Sequence, residues 1–312
     1  MKLLLTKLLL ICAVVNCFGQ SKSKIETVEK FKSDFVKTRK VEIWLPAEYA
    51  SEPKRKFPVL YMQDGQNIFN AETATNKTAW EADNTAAKMI TANVIEPVII
   101  VAIWNTDLRY LEYFPDKAAA NFTADDTAQI EKVKKISNIS ETEYLGDEYL
   151  KFLTQELKPY IDKKYRTLPD AANTSICGSS MGGIISIYAI CEYPDVFGQA
   201  ACISTHWPLL IDNSHGGPAN ALKQYLYEKL PAPKNHRIYY DHGTATMDRF
   251  YEMHQKSIDN MMRLKGYELN KNWHTRKFEN AAHNEIAWQS RFDQVLQFLY
   301  RPEIYAKKEA SK

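Results

Sequence analysis

The chain has 312 residues, with 40 Lys and Arg against 38 Asp and Glu and a net charge of +2. That balance gives no electrostatic basis for binding nucleic acid or an anionic membrane surface. Its 18 Tyr and 6 Trp are enough to fill a substantial core and still line a binding cleft.

At the start, Lys2 and Lys7 precede an apolar run from Leu8 to Val15, and Cys17-Phe18-Gly19 stands before Gln20. This pattern predicts a secretory signal over residues 1–19, too short for a stable membrane span, and export to the periplasm or the medium. Cys17 offers a rival reading as a lipoprotein anchor, against which Asn16 is a poor fit to a small-residue cleavage site. Residues 20–312 hold no linker-like Gly, Ser or Pro tract and no internal repeat, so one domain is expected, with its core at about 38–302.

Val41 to Leu45 alternates and stops at Pro46, which predicts an edge strand. Phe57 to Met62 is a second expected strand, left through Gln63-Asp64-Gly65-Gln66, and a helix is expected from about Trp80 to Thr91. Residues 98–103 are all apolar and predict a central strand buried on both faces. The segment 104–145 reads as the least regular part, a candidate lid or binding loop. Leu150, Leu153, Leu157 and Ile161 then mark the apolar face of a helix.

An apolar run ending at Cys177 meets Gly178-Ser179-Ser180-Met181-Gly182 before a helix-like stretch from Gly183. Strand, sharp turn and helix in this order match the nucleophile-elbow pattern, Gly-x-Ser-x-Gly. Glycines are needed two before and two after a serine held in a strained turn, because side chains there would collide. Ser180 is therefore the candidate nucleophile. The bland alternative is a Gly-rich turn around a buried serine.

Beyond the elbow, strands are expected at Gln199 to Ser204, Arg237 to Asp241 and Thr275 to Phe278, with helices at Asn220 to Leu230, Phe250 to Lys265 and around Trp288 to Leu299. Alternating strands and helices imply a mostly parallel sheet covered on both faces, an α/β class. Cys177, Cys191 and Cys202 fall on expected core elements, which argues against a disulfide framework. No His or Cys pair has zinc-site spacing and no loop resembles a calcium site, so no metal is expected.

A serine hydroxyl attacks only when a base takes its proton and an acid holds that base in the right tautomer. Such groups collect at the carboxyl ends of strands in open α/β sheets. His283 follows the last expected strand and is the candidate base. Asp248, in the loop after Gly243, is preferred as the acid, with Asp241 at the strand end as its rival; each could instead be a turn or capping residue. The order Ser180, Asp248, His283 is the hydrolase order. Backbone N–H groups of Met181 and of Gln66 are the candidate oxyanion donors. Trp104, Tyr110, His206 and Trp207 are candidate substrate-lining residues, with core packing as the alternative.

These residues resemble a family. The run Val59-Leu60-Tyr61-Met62-Gln63-Asp64-Gly65-Gln66-Asn67-Ile68-Phe69, Arg109 with Glu112-Tyr113-Phe114-Pro115, Gly178 to Gly183, and His283-Asn284-Glu285 with Trp288 are similar to the Putative esterase, or esterase D-like, group of α/β-hydrolases. That group includes feruloyl and acetyl xylan esterases, siderophore esterases and S-formylglutathione hydrolases. The resemblance implies an α/β-hydrolase fold and a cofactor-free serine ester hydrolase. In much of the group the acid follows the strand-end glycine by about three residues, whereas Asp248 is five beyond Gly243. An acylated carbohydrate is the expected substrate, a siderophore lactone the alternative, and a catalytically silent binding protein the alternative from another class.

Overall fold

The computed structural model describes residues 22–210 and 216–303; the expected leader at 1–19 and its Cys17 lie outside them. Among the described residues, eight strands follow one another. They are β1 (Lys24–Phe31), β2 (Arg39–Leu45), β3 (Val59–Met62), β4 (Ile99–Ile103), β5 (Thr174–Ser179), β6 (Gln199–Ile203), β7 (Arg237–Gly243) and β8 (Trp273–Phe278). They form one sheet in the order β1-β2-β4-β3-β5-β6-β7-β8. β1 and β4 both run antiparallel to β2, and every pair from β4 through β8 is parallel.

Alternation along the strands divides the core in two. Val59 and Tyr61 of β3, with Ile99, Val101 and Ile103 of β4, pack on one face with the helices Met181–Glu192, Pro218–Lys229 and Glu252–Leu264. Leu60, Met62, Ile100 and Ala102 point the other way, against the helices Ala82–Thr91 and Phe292–Tyr300. Because both faces are covered, β4 is apolar at every position and fully buried, as its unbroken apolar run predicts.

Two expectations need correction. β2 is not the edge: β1 pairs outside it, with Val28 opposite Val41 and Ile25 opposite Trp44. β1 carries Lys24, Glu26, Glu29 and Lys30 and leaves Ile25 exposed, so its weak alternation hides it in the sequence while its charges suit an unpaired edge. The segment 104–145 is not irregular either. It holds the helices Arg109–Glu112, Asp116–Ala119 and Ala124–Ile136. The last opens with a capping box, in which Thr123 and Asp126 satisfy each other's backbone N–H. The next helix widens to π-type turns over Phe152–Leu157 immediately before Pro159, whose ring and missing N–H disrupt a regular α ladder.

Candidate active site

Every strand from β3 to β8 delivers its following loop to the same edge of the sheet. Asp64 to Asn67 follow β3, Asn105 and Arg109 follow β4, Ser180 follows β5, Ser204 follows β6, Asp248 follows β7 and His283 follows β8. Ser180, His283, Gln66, Asn105, Arg109, Asn76 and Glu285 line one cleft of about 440 Å³ there. A larger depression of about 950 Å³ lies at the opposite ends of the strands, around Gln199, Arg237 and Asn272, and holds none of these groups.

Ser180 has φ 59° and ψ −123°, a conformation that L-residues avoid, at the junction of β5 and the helix Met181–Glu192. A Cβ on Gly178 would stand 2.7 Å from the backbone of Gly182, and one on Gly182 would stand 3.2 Å from Gln63 Cβ. The two glycines therefore let the turn close on itself and on β3. Met181 opens the helix, so its N–H has no acceptor within it. Gln66 sits in the tight turn Gly65–Asn67 on the cleft wall.

His283 Nδ1 lies 2.5 Å from Asp248 Oδ1. The aspartate's other oxygen accepts from the Ser204 hydroxyl at 2.5 Å and from the Gly243 N–H at 2.5 Å. Burial alone would raise the Asp248 pKa, but His283, Ser204 and the Gly243 N–H outweigh it and hold the carboxyl below its ordinary value. The five-residue spacing from Gly243 is accommodated because the turn Thr246–Phe250 folds back over the strand end. Thr246 Oγ1 accepts the His283 N–H at 2.8 Å, and the N–H groups of Thr244 and Ala245 reach the Ala281 carbonyl, so the two loops are clamped together. A Cβ on Gly243 would come within 2.1 Å of that same carbonyl.

Asp241 does not touch His283. It is fully buried, accepts from Arg291 Nη2 at 2.8 Å and from the Tyr239 hydroxyl at 3.0 Å, and burial pushes its pKa up despite Arg291. Of the four candidate lining residues, none lies on the cleft wall. Trp104 donates to Glu42 with Lys40 over its ring, Tyr110 donates to the Leu209 carbonyl, and Trp207 is buried and donates to Gln255. His206 is close by: its N–H donates to the Ser180 carbonyl and its ring meets the Tyr251 hydroxyl at 2.7 Å. Aromatic identity near a strand exit could not distinguish these core and rim positions from the wall.

Sequence reasoning named Asp64, Arg109, Glu285 and Trp288 only within the runs that resemble the family, without a role, and missed Thr75, Asn76 and Asn105 of the wall. Arg109 grips Asp64 with two bonds of 2.6 and 2.7 Å, and Asn105 donates to the same carboxylate at 2.6 Å. Burial would lower the Arg109 pKa, but the Asp64 carboxylate more than reverses this and keeps the guanidinium charged. Asn76 donates to Glu285 at 2.7 Å and ties the loop after β3 to the one after β8. Their pairing spans 209 residues, beyond the reach of any local pattern.

A family model described as Putative esterase matches residues 33–299. The chain belongs to that family. Among curated esterase relatives, it is 26% identical over 217 residues to an endo-1,4-beta-xylanase/feruloyl esterase of Xylanibacter ruminicola, covering 67% of this chain and 23% of that protein. It is 26% identical over 172 residues to the ferri-bacillibactin esterase BesA of Bacillus subtilis, covering 54% of this chain and 55% of that protein. An uncharacterized Bacillus subtilis protein, YbbA, is 25% identical over 170 residues, 54% of this chain and 58% of its own length. The chain thus spans under two thirds of each of these relatives. Among solved structures, a ferulic acid esterase superposes with a TM-score of 0.61 at 20% identity, over 90% of this chain and 99% of the other. The enterobactin esterase of Shigella flexneri does so at 0.62 and 16% identity, over 89% and 59%. These likenesses establish the α/β-hydrolase fold of this family member.

Proposed function

We propose that the chain hydrolyses carboxylic esters through an acyl-enzyme on Ser180. His283 Nε2 takes the hydroxyl proton as Ser180 Oγ attacks the ester carbonyl, and the oxyanion is received by the backbone N–H groups of Met181 and Gln66. Collapse expels the alcohol, which takes the proton from His283; water then gives a proton to the same nitrogen as its oxygen attacks the acyl carbon, and a second collapse breaks the bond to Ser180 Oγ, which takes that proton back as the acid leaves. The observation that carries this reading is buried Asp248 held 2.5 Å from Nδ1 of His283, which lines one cleft with a serine in elbow conformation.

The wall supports an acylated carbohydrate as substrate. Gln66, Asn67, Thr75, Asn76, Asn105 and Glu285 offer hydrogen bonds suited to a polyhydroxyl alcohol, and among the described residues Trp288 is the one Trp, Tyr or Phe lining the cleft. Arg109, its one arginine, is already neutralised by Asp64, which favours this reading over a siderophore lactone with its dihydroxybenzoyl rings. Export by residues 1–19 is part of the proposal and fits a polymeric, extracellular substrate.

Turnover of a chromogenic acetate by the purified protein is the first test. Ser180→Ala should lower kcat on the order of a millionfold. Unchanged turnover in that variant would sink the esterase reading, and no turnover in the unaltered protein would favour a silent binding protein. On a panel of acetylated xylan, methyl ferulate and a siderophore lactone, acetylated xylan should give the highest kcat/KM.

A further inference from the structure

We propose that Ser204 is a positioning residue whose hydroxyl proton is fixed on Asp248, thereby holding His283 in the tautomer that leaves Nε2 free to act as base. This rests on Ser180, His283 and Asp248 working as proposed above.

Donor and acceptor counting carries the inference. A serine hydroxyl has one proton to give and two lone pairs to receive. Ser204 is fully buried, and its oxygen accepts from Trp288 Nε1 at 3.0 Å and from Arg291 Nη2 at 2.7 Å. Both are obligate donors, so both lone pairs are taken. Among the described residues the one remaining contact is Asp248 Oδ2 at 2.5 Å, so the proton goes there. Asp248 Oδ2 then receives two donors, Ser204 and Gly243, and its other oxygen is left for His283. An ionised carboxylate cannot donate, so His283 Nδ1 must carry the proton.

The backbone is bent to make this possible. Ser204 has φ 41°, a left-handed conformation costly for a residue with a Cβ, immediately after β6. Its N–H is held by the Asp241 carbonyl at 2.9 Å. Asp241 also anchors Arg291, whose guanidinium lies on the face of Phe278. This gives the rival aspartate a place in the site behind the triad: it fixes the cation that fixes the serine.

Several charged or titratable groups surround the pair. Tyr239 and Asp241 come from β7, Arg291 from the start of the last helix, and Glu285 from the short helix before it. Tyr251 lies edge-on to His283, His206 bonds Tyr251, and Arg109 with Asp64 faces across the cleft. Ser204→Ala keeps all of these side chains, and Arg291 retains Asp241 while it loses the Ser204 oxygen. It removes one donor from Asp248, leaving more negative charge to face the imidazolium.

The experiment is the pH dependence of ester turnover in the full chain. Ser204→Ala should lower kcat by about 10- to 100-fold with KM within about twofold, and move the acidic limb of kcat/KM up by roughly half a pH unit. Trp288→Phe keeps a ring but frees one lone pair of Ser204, and should lower kcat by about threefold or more. Wild-type kcat in either variant, or a loss in Ser204→Ala with an unmoved limb, overturns the proposal. If Ser204→Ala does not fold, Trp288→Phe decides by the same upward move of the acidic limb, and a kcat loss there with an unmoved limb overturns the proposal, because loss of a cleft-lining ring alone would not move it. Failure of the underlying reading shows separately, as turnover that survives Ser180→Ala.

Discussion

Asp248 and Asp241 leave the same strand, and their neighbours give them different work. Asp248 faces an imidazole, a hydroxyl and a backbone N–H, whereas Asp241 faces a guanidinium and a phenol. Asp248→Asn should therefore cut kcat by about 10⁴, because an amide can present an N–H to His283 Nδ1 and select the wrong tautomer. Asp241→Asn should act mainly on stability, by leaving buried Arg291 with only the Asp248 carboxylate, 4.0 Å away, as counter-charge. Measuring kcat and urea unfolding for both separates the roles, and a larger kcat loss in Asp241→Asn would reverse them. The chain order made both aspartates visible as candidates. What decided between them was the folding back of Thr246–Phe250 over Gly243, which depends on the Ala281 carbonyl of another loop. A spacing count along one loop could not contain that contact.

The site is supported by elements whose links cross the sequence. Helix Arg109–Glu112 is the clearest case: Arg109 holds Asp64 beside the candidate oxyanion turn, and three residues on Glu112 meets Arg39 of β2 through bonds of 2.6 and 3.0 Å. Arg39 and Glu112 are both inaccessible to solvent, at 1% and 0% of their side-chain surface. Breaking a pair like this leaves a charge buried alone, so Arg39→Met should cost about 3–5 kcal/mol in urea unfolding, and Arg39→Met with Glu112→Met should recover most of it. A double variant no better than the single one would show that the pair is not the source. Apolar periodicity made β3, β4 and the helices on the sheet legible, since burial on both faces leaves a continuous signature. It failed for β1, half solvent-exposed, and for 104–145, whose short helices each bury only one or two apolar side chains, such as Leu111, Ala118, Ile130 and Val133, too few to mark a stripe. The Thr123-x-x-Asp126 box was the one local signal available there.

At the scale of the molecule, burying titratable groups makes stability depend on pH, with contributions of opposite sign. Burial, aided by the nearby His283, pushes the His206 pKa down to about 3, so the folded protein keeps this imidazole neutral where an unfolded chain would protonate it. Its contribution is complete above an ordinary histidine pKa of roughly 6.5 and is lost as pH falls toward 3, at up to about 1.4 kcal/mol per pH unit. Half-buried His274, lowered by burial to about 4, acts in the same direction. Asp116, raised by burial to about 6, and Asp241, also raised by burial, oppose them, because the folded state holds their protons more tightly. The whole curve therefore mixes both signs, and a difference between proteins isolates one group. His206→Gln keeps a polar side chain near Tyr251 but cannot titrate. The stability gap between wild type and this variant, measured by urea unfolding from pH 7 to pH 4, should narrow steadily as pH falls, because only the wild type has a neutral imidazole to lose. A gap that stays constant across that window would mean that His206 is protonated as readily in the fold as outside it.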